Sequence, residues 1–392
     1  MDYLKNNLES MLKLIERLVN IDSGSTNKAG VDRVGKILIE EYKQMGFEIE
    51  IKENDEYGNN ILIKHKEAIN PEILLIAHMD TVFPIGTAAE RPFTIKNGLA
   101  YGPGVADMKA SQVTLLYAMK YLHEKKEDVL KNVIIILNGD EEVGSPTSRE
   151  LIEEVSKNVK YALVMEPARK DGSVVSSRRG GGRYILHVHG RSAHSGVAPE
   201  EGRSAIEELA YKTIKLNHLT DHEQGISVSV GIVEGGDAVN MIPDNATGYV
   251  DVRICSEEQS LEIAKKIEEI CSVPDVPGTT IKLEGGITRP PMELDEKNKM
   301  LLNIVKEVGN SFGLVVKDTH TGGGSDASFP SHLGVATIDG VGPIGGKLHN
   351  EGEYLEIDSL TERCFLLAET VARLSEPEVA AKEKLGKVLR SG

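Results

Sequence analysis

The stretch Ile73–Thr81, ILLIAHMDT, decides the fold of this 392-residue chain and points to its chemistry. Its five apolar residues, Ile73–Ala77, predict a short buried strand. His78 and Asp80 follow at the end of the strand as alternate residues, so their side chains are expected on the same side. A metal-binding histidine usually donates its second N–H to a carboxylate, and Asp80 is placed to orient His78 in this way. Taken alone, the pair is more typical of a polar loop.

Two further apolar runs, Val133–Leu137 and Tyr161–Met165, are also followed by acids. Glu141 and Glu142 come after the first run, and Glu166 comes directly after the second. Helical patterns alternate with these strands, which predicts a mostly parallel sheet covered by helices on both faces. The carboxyl ends of parallel strands meet at one crevice, so we expect these acids near His78. The alternative for the paired glutamates is a favourable position near the N-terminus of the next helix.

Two more candidates lie in glycine-rich segments. Asp107 follows a Gly-Pro-Gly turn and is predicted to open a helix over Met108–Leu122. It could cap that helix, and its two oxygens could also bridge two metal ions. His349 lies in a loop beyond the predicted strand Val335–Ile338, and alone it would be interpreted as a surface histidine. Carboxylates and imidazoles without a thiolate suit a divalent metal that acts on substrate better than a structural zinc.

Composition excludes some partners. The formal charge is −16, the pI is about 5.3 and 27% of residues are charged. Nucleic acids and anionic membranes require a basic surface, so neither is an expected partner. The three cysteines form no disulfide pattern and are interpreted as reduced thiols. The N-terminus shows helical spacing broken by charges rather than a signal peptide, so we predict a cytoplasmic protein.

The pattern of predicted strands and helices changes at Arg178–Arg183, RRGGGR. The order of elements beyond it is β-α-β-β-α-β, which is typical of the ferredoxin-like unit. The predicted elements are strands Tyr184–His189, Ile226–Val233, Ala246–Ile254 and Thr279–Glu284, and helices Arg203–Leu216 and Glu257–Cys271. We therefore predict an α/β catalytic domain formed by residues 1–178 and 288–374, an inserted α+β domain over 179–287, and a C-terminal tail over 375–392.

These motifs, in this order, resemble the co-catalytic zinc metallopeptidases, a family that includes glutamate carboxypeptidase, acetylornithine deacetylase, succinyl-diaminopimelate desuccinylase and peptidase T. The resemblance extends from about Leu8 to Leu374 and is closest to glutamate carboxypeptidase. It is carried by HMDT (78–81), GPGVADMKA (102–110), DEEVGS (140–145), MEP (165–167), SAHSG (192–196), NMIP (240–243), TRPPM (288–292), THTGGGSDA (319–327) and LHNEGEYLEI (348–357).

The resemblance implies a zinc-exopeptidase-like fold with two metal ions bridged by Asp107. His78 and Glu166 would complete the coordination of one ion, and Glu142 and His349 would complete that of the other. The ions would be zinc, although the ligand set also accepts cobalt or manganese. Glu141 would be the general base, and Asp80 would orient His78. The family also implies a cis peptide bond after the bridging aspartate, between Asp107 and Met108.

For the insert, the resemblance implies a lid and a dimerisation surface, and therefore a homodimer. The implied substrate-binding residues are His194, Asn240, Arg253, Arg289 and Gly324. His194 would reach an active site, often that of the partner subunit, and Gly324 would present its backbone to the substrate. Arg253 shares an alternating strand face with Asp251, so an ordinary solvated sheet face explains it equally well.

The activity implied is hydrolysis of an amide or peptide bond by a metal-bridged water. It would release a C-terminal amino acid, with glutamate or aspartate as candidates, from a small peptide or N-acyl conjugate. An N-acyl amino acid deacylase resembling acetylornithine deacetylase, or a di- or tripeptidase, would use the same residues. A non-catalytic metal-dependent binding protein is the remote alternative, and nothing in the ligand set favours it.

Overall fold

A computed structural model describes residues 1–376, so most of the predicted tail, residues 377–392, lies outside the described residues. The chain forms two compact units. The main unit contains Met1–Ser177, Leu294–Thr321 and the chain from Ser325 onward. The inserted unit contains Arg178–Glu293 and Gly322–Gly324. Each unit has its own hydrophobic core.

The first part of the main unit alternates helices and strands. Its helices are α1 (Asp2–Asn6), α2 (Leu8–Val19), α3 (Lys28–Lys43), α4 (Thr87–Glu90), α5 (Ala110–Lys125) and α6 (Arg149–Ser156). Its strands are β1 (Phe47–Lys52), β2 (Asn60–His65), β3 (Ile73–His78), β4 (Thr94–Lys96), β5 (Leu99–Tyr101), β6 (Val133–Asn138), β7 (Tyr161–Val164) and β8 (Val174–Arg178). The three predicted apolar runs correspond to β3, β6 and β7.

The inserted unit has the predicted ferredoxin-like order. Its elements are β9 (Gly180–His189), β10 (Ala193–His194), α7 (Ala205–Asn217), β11 (Ser227–Gly235), β12 (Met241–Ile242), β13 (Asn245–Ile254), α8 (Glu257–Ser272) and β14 (Thr280–Arg289). The four long strands form an antiparallel sheet in the order β11-β13-β9-β14, and β10 pairs separately with β12.

The chain then returns to the main unit. The remaining elements are α9 (Glu296–Ser311), β15 (Asp318–Thr321), α10 (Ser328–His332), β16 (Ala336–Ile338), β17 (Gly345–Gly346), β18 (Tyr354–Glu356) and α11 (Ser359–Leu374). Two small sheets accompany them, one pairing β15 with β8 and one in the order β17-β18-β5-β4.

The central sheet of the main unit has the order β1-β2-β6-β3-β7-β16. Strands β6, β3, β7 and β16 are parallel, whereas β1 and β2 join as an antiparallel edge. All residues of β3 and β6 are buried, as expected for strands covered on both faces. The predicted α/β class is confirmed. The sequence interpretation did not include β1, whose alternating FEIEIK pattern leaves one face to solvent.

The structure corrects the boundaries of the insert. Gly180–Gly182, which precede the predicted strand Tyr184–His189, lie inside β9, and β14 extends to Arg289 rather than ending at Glu284. A Cβ atom on Gly180 would lie 2.5 Å from the backbone nitrogen of Pro291, so the glycine permits two segments of the backbone to approach closely. The inserted unit therefore continues to Glu293, beyond the predicted boundary at 287.

A buried ion-pair network inside the inserted unit gives a stability prediction. The fully buried Lys212 Nζ lies 3.0 Å from Glu208 Oε1 and 2.6 Å from Asp275 Oδ2. We expect Lys212→Met to lower the free energy of unfolding by about 3 kcal/mol, because it leaves the buried Glu208 carboxylate without its cation. Urea unfolding of the full chain measures the change.

The matched control is Lys215→Met, because Lys215 pairs with the same Asp275 but is about half exposed. Its loss should cost less than about 1 kcal/mol, as is usual for solvent-exposed pairs. Equal destabilisation by the two variants would contradict the prediction.

Candidate metal centre

The ends of three parallel strands supply most of the predicted residues. His78 is the last residue of β3, and its side chain is 1% exposed. Glu141 and Glu142 lie in a short helical turn just beyond β6, and Glu166 follows β7 by two residues. As expected, these residues lie together at the carboxyl edge of the sheet.

Asp107 lies between two groups of side chains. Its Oδ1 is 3.0 Å from His78 Nε2, which in turn is 3.6 Å from Glu166 Oε1. Its Oδ2 is 3.2 Å from His349 Nε2, and that nitrogen is 3.2 Å from Glu142 Oε2. The two oxygens of one carboxylate are thus divided between two separate sets of ligand atoms.

The local backbone conformation places Asp107 in an irregular turn before helix α5. Val105–Lys109 is an irregular turn in which Asp107 has φ −116° and ψ 93°, and the Asp107–Met108 peptide bond is cis. Helix α5 begins only at Ala110, and among residues 1–376 no side chain caps its N-terminus. The predicted helix start at Met108 and the alternative of Asp107 as an N-cap are both wrong.

The donor set fits divalent metal ions. Two groups, His78–Asp107–Glu166 and Asp107–Glu142–His349, each offer ligand atoms that lie within 4.8 Å of one another. Oxygen Oε1 of Glu142 is buried and has no hydrogen-bond partner within residues 1–376. A buried carboxylate oxygen without a donor is costly, and a cation would compensate it. These five residues are those predicted from the sequence.

Burial and neighbouring charges shift the pKa values of the residues in this cluster. Burial opposes ionisation of Asp107, but hydrogen bonds with His349 and His78 outweigh it and hold the Asp107 pKa well below its ordinary value. Hydrogen bonds to Asp107 and Glu142 raise the pKa of His349 to about 11. Burial raises the pKa of Glu142 and of Glu166. Divalent cations would stabilise these carboxylates more strongly than imidazolium does.

Asp80 contacts the Glu141–Glu142 turn as well as His78. The Nδ1 atom of His78 lies 3.0 Å from the backbone oxygen of Asp80 and 3.4 Å from its Oδ1, so the carbonyl is the shorter contact. The Asp80 carboxylate accepts hydrogen bonds from the backbone N–H groups of Glu141 and Glu142, at 3.2 and 3.1 Å. It also accepts one from the Ser25 hydroxyl. Asp80 therefore fixes the turn that presents both glutamates.

Two other acids support the same turn and were not singled out from the sequence. The carboxylate of Asp140 accepts hydrogen bonds from the backbone N–H groups of Thr147 and Ser148. Asp140 therefore has a structural role in this part of the chain. Asp326 Oδ2 accepts a hydrogen bond from Asn138 at 2.7 Å. Neither contact is visible in sequence, because each depends on loop closure.

Glu353 is a third residue to which the sequence analysis assigned no role. Its buried carboxylate accepts hydrogen bonds from the turn that carries Asp107. Burial raises the pKa of Glu353 to about 7 and lowers the pKa of nearby Lys109 to about 7. The signal was its spacing in the motif H-x-x-x-E that begins at His349.

The predicted substrate-binding residues all belong to the inserted unit: His194, Asn240, Arg253, Arg289 and Gly324. His194 and Asn240 are exposed. They lie close together because β10, which ends at His194, pairs with β12, which begins just after Asn240, and Ser195 N–H donates to the Asn240 carbonyl at 3.0 Å. Gly324 packs closely on Arg289, since a Cβ atom there would lie 2.8 Å from Arg289 Cδ. The Arg178 guanidinium donates to the carbonyls of Gly323 and Gly324.

Arg253 fits the alternative of an ordinary sheet face. Its guanidinium donates to both carboxylate oxygens of Asp251, at 2.9 and 3.1 Å, and both side chains are partly exposed. A substrate carboxylate would have to replace Asp251 at this arginine.

A helix-flanked α/β sheet that gathers two histidine–carboxylate groups is the architecture of a dinuclear metallohydrolase. The chain belongs to peptidase family M20/M25/M40, whose model matches residues 74–373. The protein is accordingly a metal-dependent hydrolase of the metallopeptidase class. Within residues 1–376, no helix is long and apolar enough to cross a membrane.

Individual relatives agree with this assignment. The chain is 30% identical to carboxypeptidase G2 of Pseudomonas sp. (strain RS-16) over 373 residues, covering 93% of this chain and 89% of the relative. It is 24% identical to succinyl-diaminopimelate desuccinylase of Thioalkalivibrio sulfidiphilus, covering 90% and 96%. The fold is similar to that of the aminopeptidase PepT of Bacillus cereus, with a TM-score of 0.75, 23% identity and coverage of 94% and 99%.

Proposed function

We propose that this protein removes a C-terminal amino acid, with glutamate or aspartate as candidates, from a small peptide or N-acyl conjugate. The observation that carries the proposal is the division of the two Asp107 oxygens between two ligand groups. One group would be completed by His78 and Glu166, and the other by Glu142 and His349. The similarity to carboxypeptidase G2 supports the choice of a C-terminal hydrolase.

The metal ions and the residues around them would have different roles in the reaction. Two divalent metal ions, when bound, would lower the pKa of water and polarise the substrate carbonyl. Glu141 belongs to neither ligand group, yet its charge contributes to the raised pKa of Glu166, so it lies near the centre. It would take a proton from the attacking water and pass it to the leaving amine. Asp80 holds the backbone of Glu141 in place for this transfer.

Charge favours an anionic substrate. The ionised carboxylates of Asp107, Glu142 and Glu166 opposite two divalent cations leave one formal positive charge at the centre. A centre of that sign within an acidic protein attracts a substrate carboxylate and stabilises negative charge formed during attack. By family resemblance, Arg253 or Arg289 would bind the substrate carboxylate and His194 would stabilise the oxyanion.

A second candidate uses the same centre to deacylate N-acyl amino acids. The specific observation in its favour is the similarity to succinyl-diaminopimelate desuccinylase over 90% of this chain. The two activities break the same kind of amide bond. They differ in the part of the substrate that is selected, which is an acidic C-terminal residue in the first and a small acyl group in the second.

A panel of small amides tests the proposal. We expect a dipeptide or N-acyl conjugate ending in glutamate to be hydrolysed with a higher kcat/KM than an N-acetyl derivative of a neutral amino acid. Chelation should abolish hydrolysis, and Zn²⁺, Co²⁺ or Mn²⁺ should restore it. Preference for the acetylated amino acid would favour the deacylase, and full activity after complete metal removal would contradict both candidates.

The proposal includes zinc as the working metal, a cytoplasmic location and a homodimer formed through the inserted unit. Support for the dimer comes from β11, which is at the edge of its sheet and exposes Ile232 and Val233. Exposed apolar residues on an unpaired edge are typical of a surface that another chain covers.

A further inference from the structure

Glu353 makes an unusual set of contacts for an acidic residue in a surface loop. Its side chain is buried, and the residue is 1% exposed. Oxygen Oε1 accepts hydrogen bonds from the backbone N–H groups of Ala106 and Asp107, at 2.8 and 3.0 Å. Oxygen Oε2 accepts one from Gly104 at 3.3 Å. One carboxylate thus binds three N–H groups of the turn that contains the shared ligand.

The same residue closes the loop that carries His349. Glu353 N–H donates to the carbonyl of Asn350 at 3.0 Å, and Asn350 N–H donates to Lys347 at 3.2 Å. Lys347 and His349 both have positive φ angles, 54° and 60°, which non-glycine residues seldom adopt. Such a conformation persists only where surrounding contacts hold it, and Glu353 supplies contacts at the end of this loop.

Glu353 therefore joins two of the three chain segments that form the second ligand group. One segment carries Asp107 and the other carries His349, and they meet where Asp107 Oδ2 lies 3.2 Å from His349 Nε2. The first group also contains Asp107, but its other two ligands, His78 and Glu166, are presented by β3 and by the residues just after β7, which Glu353 does not join. Hydrogen bonds that a carboxylate accepts from backbone N–H groups are charge-assisted and stronger than neutral ones. Glu353 therefore holds the turn that carries Asp107 strongly.

We propose that Glu353 is a positioning residue that sets the geometry of the second metal group, Asp107–Glu142–His349, and leaves the first largely independent. This inference rests on the proposed metal centre. Partners outside the ligand set of a metal typically contribute about 10–100-fold to metal affinity, by orienting the ligands. A purely structural anchor would instead affect both groups alike through the stability of the fold.

Three variants test the inference. Glu353→Ala removes all three acceptor contacts. Glu353→Gln keeps one oxygen, which can still accept from Ala106 and Asp107, but replaces the oxygen that faces Gly104. Glu351→Gln is the matched control, because Glu351 lies in the same loop, is exposed and loses the same charge.

The readout is the affinity of each of the two metal sites, measured by competition with a chelator, together with the absorption spectrum of the Co²⁺-loaded protein. For Glu353→Ala we expect one of the two affinities to fall about 10–100-fold, with the other within about threefold of wild type. The Co²⁺ spectrum of the weakened site should change. Glu353→Gln should lower the same affinity less than tenfold, and Glu351→Gln should leave both affinities unchanged.

Two results would overturn the inference. One is a folded Glu353→Ala protein that binds both ions as tightly as wild type, and the other is an equal loss at both sites. If Glu353→Ala does not fold, Glu353→Gln decides, and unchanged affinities at both sites in that variant reject the inference. Failure of the wild type to bind two ions would instead contradict the proposed metal centre itself.

Discussion

Replacing Asp107 with asparagine is expected to abolish turnover and to prevent the protein from holding two metal ions at once. The substitution keeps the shape of the side chain but removes the second anionic oxygen, so the two ligand groups can no longer share it. We expect kcat/KM to fall by roughly 10⁴-fold or more, the scale seen when one member of a catalytic unit is removed. Metal analysis after dialysis should find fewer than two ions in each chain.

Thermal unfolding provides a second readout for the Asp107 variant. A ligand present at a 100-fold excess over its Kd stabilises the native state by about 2.7 kcal/mol. Wild-type protein should therefore melt at a higher temperature when metal is added, and Asp107→Asn should gain much less. Asp55→Asn, a change of the same kind at an exposed position, should behave as wild type. Two tightly bound ions in Asp107→Asn would exclude Asp107 as the shared ligand.

The sequence could predict that His78, Glu142 and Glu166 lie close together, because each of them follows an apolar run. Apolar runs mark β3, β6 and β7, and parallel strands have their carboxyl ends at one edge of a sheet. That reasoning places His78 and Glu166 near each other without any knowledge of long-range contacts. The pairing of His349 with the other group came from family resemblance, since its loop has no regular pattern.

The contacts that hold the ligands could not be predicted in the same way. The carboxylate of Asp80 binds the backbone of Glu141 and Glu142, which are about 60 residues away along the chain. Glu353 binds Asp107 across an even longer stretch of chain. Hydrogen bonds from side chain to backbone leave no periodic signature in sequence.

Glu141→Gln is the second substitution with a large expected effect. The amide has nearly the same shape as the carboxylate but cannot take a proton from water at neutral pH. Loss of general acid–base transfer should lower kcat by about 10²–10⁴-fold. Because Glu141 belongs to neither ligand group, both metal ions should remain bound. Steady-state hydrolysis and metal analysis of the same preparation measure the two quantities together.

The adjacent residue provides the matched control. Glu142→Gln removes the same charge one position along the same turn, but Glu142 belongs to the second ligand group. It should lose activity together with one metal ion, and added metal should restore part of that activity. No concentration of metal should restore Glu141→Gln, because its defect is in proton transfer. Wild-type kcat in Glu141→Gln, or recovery of its activity with excess metal, would assign the proton transfer to another residue.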